Sequence, residues 1–150
     1  MPFTKKHRRE VLGNVWLFEL CSRRELDSLE SAATEMQFPI GKELTTQGEL
    51  GRHFMVIVEG EAEVTRDGTP IAALGPGSFF GEMSLLDGQP RTATVTTLAP
   101  TRVLMLTTAT FNGVLATMPS VNSKMLTVLA ARLREVEAKY VPTGERTTSA

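Results

Sequence analysis

The chain has 150 residues, 41% hydrophobic and 22% charged, with a formal net charge of −1. That length fits one domain able to bury roughly 70% of its unfolded surface, and the near-neutral balance excludes a global basic field for nucleic acid or anionic membrane. Apolar runs such as Phe54–Val58 are far too short to span a bilayer, the basic N-terminus is followed by no secretory-type apolar stretch, and the single cysteine, Cys21, excludes an internal disulfide.

Taken in order, the apolar positions change period twice. From Arg8 to Met36 they recur at helical spacing, with Val11, Leu12, Val15 and Phe18 in one group and Leu26, Leu29, Ala33 and Met36 in a second. Ser22 followed by Glu25 is a capping box that starts the second helix. Between Phe38 and Leu106 the signals are those of short strands. Phe54–Val58 and Glu61–Arg66 are β-rich runs, and Asp67-Gly68 predicts a hairpin turn into Pro70–Leu74. Thr92–Leu98 and Arg102–Leu106 complete an antiparallel series, which predicts a sandwich or barrel.

Helical spacing returns after Thr107. Phe111, Val114, Leu115 and Met118 form a short helix that Pro119 separates from a longer one over Val121–Tyr140. Its stripe holds Val121, Met125, Val128, Leu129, Val136 and Tyr140, and Glu135 and Lys139 form a supportive pair four residues apart. The division expected is a flexible segment over residues 1–9, one domain over 10–140 and a disordered polar tail over 141–150.

The stretch Phe79–Val95, FFGEMSLLDGQPRTATV, carries the chemistry. Gly81 followed by Glu82-Met83-Ser84-Leu85-Leu86 reads as a tight turn into a short helix, whose free N–H groups and positive dipole end attract an anion. Arg91 adds a fork of donors matched to two phosphate oxygens, and Pro90 restricts the backbone before it. Glu82 is unsuited to phosphate but suited to accept a hydrogen bond from a ribose 2′-OH. Phosphate plus ribose hydroxyl implies a small nucleotide. The competing reading is a Glu82–Arg91 ion pair on the surface, worth at most about 1 kcal/mol.

The same stretch resembles the phosphate-binding cassette of the cyclic nucleotide-binding domain family, which includes protein kinase A regulatory subunits and the bacterial catabolite activator protein. The pattern is Phe80-Gly81-Glu82-Met83-Ser84-Leu85-Leu86, a loop, then Arg91-Thr92-Ala93-Thr94-Val95. LFELCSRRELDSLESAA and GELGRHFMVIVEGEAEV are similar to the family's N-terminal helices and to the strands ahead of the cassette. The resemblance implies a mainly β fold, an antiparallel double-stranded β-helix (a jelly-roll-like β-roll) with N-terminal helices and a C-terminal helix pair. It also implies site roles. Arg91 takes the cyclic phosphate and Glu82 the ribose hydroxyl, with backbone N–H groups around Gly81, Met83 and Ser84 on the sugar-phosphate. Val64 and Ile71 match positions that sandwich the base. Arg132, within the stripe of the long helix, covers the ligand, pairs across an interface or snorkels.

Two departures limit the carry-over. Val136 and Glu137 stand where the bacterial activator offers hydroxyls to adenine, and no helix-turn-helix is expected after the long helix. Thr92 permits cGMP without requiring it, since a hydroxyl there accommodates guanine in some relatives and bonds phosphate in others. Val64, Ile71 and Val136 offer only apolar contact, so cAMP is the expected ligand and cGMP a weaker one. The expectation is a cytoplasmic sensor without cofactor, metal, membrane or DNA-binding part, self-associating through its long helix and signalling to an effector protein. An enzyme is disfavoured: His7 and His53 lie in different elements and no nucleophile–base pair appears. A structural protein with an empty pocket stays open.

Overall fold

The computed structural model describes residues 3–81 and 88–140. Two helices open the chain, α1 (Lys5–Gly13) and α2 (Arg23–Ala32), with a 3₁₀ turn at Trp16–Phe18 between them. The strands follow as β1 (Thr34–Phe38), β2 (Glu43–Thr45), β3 (His53–Glu59), β4 (Ala62–Arg66), β5 (Thr69–Leu74), β6 (Phe79–Phe80), β7 (Thr94–Thr97) and β8 (Thr101–Thr107). Helices α3 (Thr108–Thr117) and α4 (Pro119–Tyr140) close the described region. The strands form two antiparallel sheets, ordered β1-β8-β3-β6 and β2-β7-β4-β5. This is the β-roll with flanking helices that the family resemblance implies.

The run Phe54-Met55-Val56-Ile57 shows why the layers stack as they do. Strand β3 pairs with β8 so that Phe54 faces Leu106 and Val56 faces Leu104, while Met55 faces Met105 and Ile57 faces Val103. Phe54, Val56, Leu104 and Leu106 join the core beneath the helices; Met55, Ile57 and Val103 join a second core inside the roll. A strand buried on both faces has no use for polar alternation, hence the continuous apolar run. Phe54 stacks on Phe111 at 4.7 Å and meets Phe18 edge-on at 6.3 Å, tying α3 and the N-terminal turn to one strand. Aromatic contacts of this kind add about 0.5–1.5 kcal/mol each beyond burial.

The local signals work as written. Ser22 and Glu25 close a reciprocal capping box on α2. Asp67 and Gly68 both take positive φ, 52° and 78°, the type I′ geometry that matches strand twist. Three expectations shift. Helix α1 begins at Lys5, inside the segment 1–9 that reads as flexible from its basic composition. Thr4 caps it, and its arginines are consumed in pairing: Arg8 with Glu30, and Arg9 with Asp27 at 2.9 Å, which holds the Asp27 carboxyl below its usual range. Met36, expected on the second helix, lies on β1 opposite Val103, because its helical spacing from Leu29 spans the end of one element and the start of the next. The third concerns length: the strand expected over Thr92–Leu98 is ladder-paired only over Thr94–Thr97.

In α4, Val121 and Met125 are buried and Val128 packs against the same core. Leu126 and Leu133 lie outside it, 62% and 66% exposed. The side chains of Val136, Lys139 and Tyr140, and the expected tail over 141–150, lie outside the described residues. No helix among the described residues is long and apolar enough to cross a membrane.

Candidate nucleotide-binding site

A cavity of about 200 Å³ opens between the β4–β5 hairpin, the end of β6 and the segment entering β7. Arg91 forms one end. Although arginine is among the least often buried residues, this one is only 8% exposed. Its Nη1 donates to the Gly81 carbonyl at 3.0 Å and its Nη2 to the His53 carbonyl at 2.8 Å. Those two acceptors fix the plane of the guanidinium.

The socket depends on two glycines. A Cβ on Gly51 would lie 2.1 Å from Arg91 Nε, and a Cβ on Gly81 would lie 2.6 Å from both Nη1 and the His53 carbonyl. Gly81 also holds φ at +95°, a conformation that side chains resist. The arginine's backbone is clamped as well: its N–H donates to the Glu49 carbonyl at 2.7 Å and its carbonyl accepts from Gly48 at 2.9 Å. A buried guanidinium in a fixed cradle has lost the water that makes solvated surface pairs weak, while Glu82, its partner in the ion-pair reading, lies outside the described residues.

The other end is apolar and more open. Val64 and Ile71 both line the cavity, with Ala72, Leu74 and Val95 beside them. Val64 pairs with Ala72 and Thr65 with Pro70, so Ile71 is the extra residue of a β-bulge. It is 48% exposed. Hydroxyls come from Thr92 and from the buried Thr45, and Arg66 and Arg132 line the cavity with Arg91. Arg132 is the one lining residue that α4 contributes among the described residues. Three arginines and no described carboxylate make this a site for an anion with an apolar portion.

Of the residues expected from sequence, Gly81, Arg91, Thr92, Val64, Ile71 and Arg132 line this one cavity. Glu82, Met83 and Ser84 lie outside the described residues. Gly51, the His53 carbonyl, Thr45 and Arg66 went unread. Of these only Gly51, in the Gly48–Gly51 spacing, left a trace in the sequence, and only as turn punctuation. Cys21 packs against the helical core, and burial pushes its thiol pKa up, partly offset by a hydrogen bond with Ser120, which suits a packing role and not a nucleophile. Among the described residues no group of His, Cys, Asp and Glu could hold a metal ion.

Residues 35–118 match the family model described as the cyclic nucleotide-binding domain, and the chain belongs to that family. It is 28% identical over 130 residues to the CRP-like cAMP-activated global transcriptional regulator of Mycobacterium tuberculosis, covering 83% of this chain. It is 32% identical over 126 residues to the cyclic AMP receptor protein of Thermus thermophilus, covering 81% of this chain. The chain spans 58% of the length of each. In fold it superposes on cAMP-bound PfPKA-R (141–441) with a TM-score of 0.80 at 23% identity, covering 96% of this chain and 49% of that one.

Proposed function

We propose that this domain is a cAMP-binding regulatory module in which ligand capture at Arg91 biases the position of α4 for an effector protein. The observation that carries it is the buried Arg91 guanidinium, oriented by two backbone carbonyls at one end of a cavity whose other end is apolar. A cyclic phosphate supplies the anion, and a purine fills the wall of Val64 and Ile71. Glu82 takes the ribose 2′-OH, with backbone N–H groups at Met83 and Ser84 on the sugar-phosphate. Among the described residues Arg132 connects the cavity to α4, and it is the side chain through which occupancy biases the helix. Similarity to a cAMP-activated regulator and a cAMP receptor supports both the nucleotide and a binding role in place of catalysis.

The exposed Leu126 and Leu133, one heptad apart on α4, support self-association through that helix. Sedimentation is expected to show a dimer that Leu133→Glu dissociates. The test of the binding reading is calorimetry with cAMP alongside a thermal-shift titration. A ligand at 100 times its Kd adds about 2.7 kcal/mol of stability, so saturating cAMP should raise Tm clearly. A flat titration with both cAMP and cGMP overturns the reading and leaves a domain whose pocket is empty.

A further inference from the structure

The side chain of Gln47 ties the segment that holds the Arg91 backbone to the turn of the β4–β5 hairpin. Its Oε1 accepts from the Asp67 backbone N–H and its Nε2 donates to Asp67 Oδ1, both at 2.8 Å. A single amide thereby uses its acceptor and a donor on one residue, the tip of the β4–β5 hairpin. Its own backbone N–H donates to Thr94 Oγ1 at 2.9 Å, at the start of β7. Its neighbours Gly48 and Glu49 hold both backbone groups of Arg91. On the facing side, Arg66 Nε donates to the Thr92 carbonyl at 3.1 Å.

We infer that Gln47 and Asp67 form a clamp that sets the separation between Ile71 of the apolar wall and the Arg91 socket, and so act as positioning residues for a ligand that must touch both. The inference rests on the binding reading above. Of the wall residues, Val64 is held between β7 and β5, whereas Ile71 sits at a bulge on β5, the edge strand of its sheet, on the far side of the turn that Gln47 holds. Without the clamp the ladder from β4 to β7 still holds Ala62 through Thr65, Val64 included, so the fold persists and the movement is confined to the turn and to the edge strand β5. A ligand spanning wall and socket then meets a wider range of geometries and binds less tightly.

The clamp can be broken and rebuilt with its polarity reversed. Gln47→Glu removes the donor and sets a carboxylate against Asp67; adding Asp67→Asn restores a donor facing an acceptor, and Asn tolerates the positive φ at that position. The expected result is cAMP affinity reduced by up to about tenfold in Gln47→Glu, the upper yield of one neutral hydrogen bond, and returned to within about twofold of wild type in the double variant. Hydrogen exchange on the ligand-free proteins should show faster exchange over residues 66–71 in the single variant, reversed in the double. A lowered Tm with unchanged cAMP affinity, or a double variant that stays weak, overturns the positioning role. A wild-type protein that binds no cyclic nucleotide overturns the binding reading instead, and unchanged exchange in the variants then removes the clamp on its own terms.

Discussion

The two ends of the cavity are built on opposite plans. At the Arg91 end every degree of freedom is taken: two carbonyls hold the guanidinium, two glycines make room for it, and two backbone hydrogen bonds clamp its main chain. At the wall end Ile71 stands half in solvent on a bulge, and Arg132 reaches in from the exposed face of α4. On the binding mode proposed above, the difference follows from what each end recognises. A charge has to be desolvated at a fixed place, since an unpaired buried ion costs several kcal/mol. An apolar base asks only for contact area, which tolerates movement. Affinity should therefore reside at the first end and adaptability at the second.

The contrast breaks most directly at Arg91. Arg91→Ala is expected to leave the fold intact and to weaken cAMP binding by about 2–5 kcal/mol, roughly 30-fold to several-thousand-fold, measured by calorimetry. Equal affinity in the variant would show that the buried arginine serves the fold alone. Gly51→Ala tests the socket without touching the arginine. The added Cβ overlaps Nε, and Gly51 lies outside the left-handed region, so the effect reports crowding without backbone strain. Displacing the guanidinium should lower affinity by about tenfold or more, on the order of 1.4 kcal/mol.

Smaller effects are expected away from the socket. Competition binding should favour cAMP over cGMP, and Thr92→Ala should change that ratio by no more than one neutral hydrogen bond, about 0.5–1.5 kcal/mol. A preference for cGMP beyond about tenfold would reverse the assignment of the base. Ile71→Ala should be mildest, on the order of 1 kcal/mol, because half of the side chain is already in water. If Ile71→Ala cost more than Arg91→Ala, the division between a fixed and an adaptable end would be wrong.

Legibility in the sequence followed the range of the interaction. The capping box at Ser22 and Glu25, the hairpin at Asp67-Gly68 and the doubly buried run of β3 rest on neighbours within a few positions, and each was readable. The misplaced start of α1 has the converse cause. Its basic residues look like a solvated tail until α2 brings Glu30 and Asp27 against them, 22 and 18 positions away. Met36 was misassigned because apolar spacing is blind to where one element ends and another begins.

The residue types of the site were likewise in the sequence: a glycine turn, an arginine after a short loop, and apolar positions on a hairpin. By themselves those residues pointed to a phosphate and a ribose hydroxyl, through local conformational preference and side-chain chemistry, and the apolar wall at Val64 and Ile71 came only with the family resemblance. What only the tertiary structure decided is that Arg91 is buried and aimed. Its acceptor on His53 lies 38 positions back, brought there by the pairing of β3 with β6. The glycine that makes room for it precedes β3, and the clamp from Gln47 reaches a turn 20 positions on. Close approach between strands distant along the chain is set by sheet order and register, which no short stretch of sequence encodes.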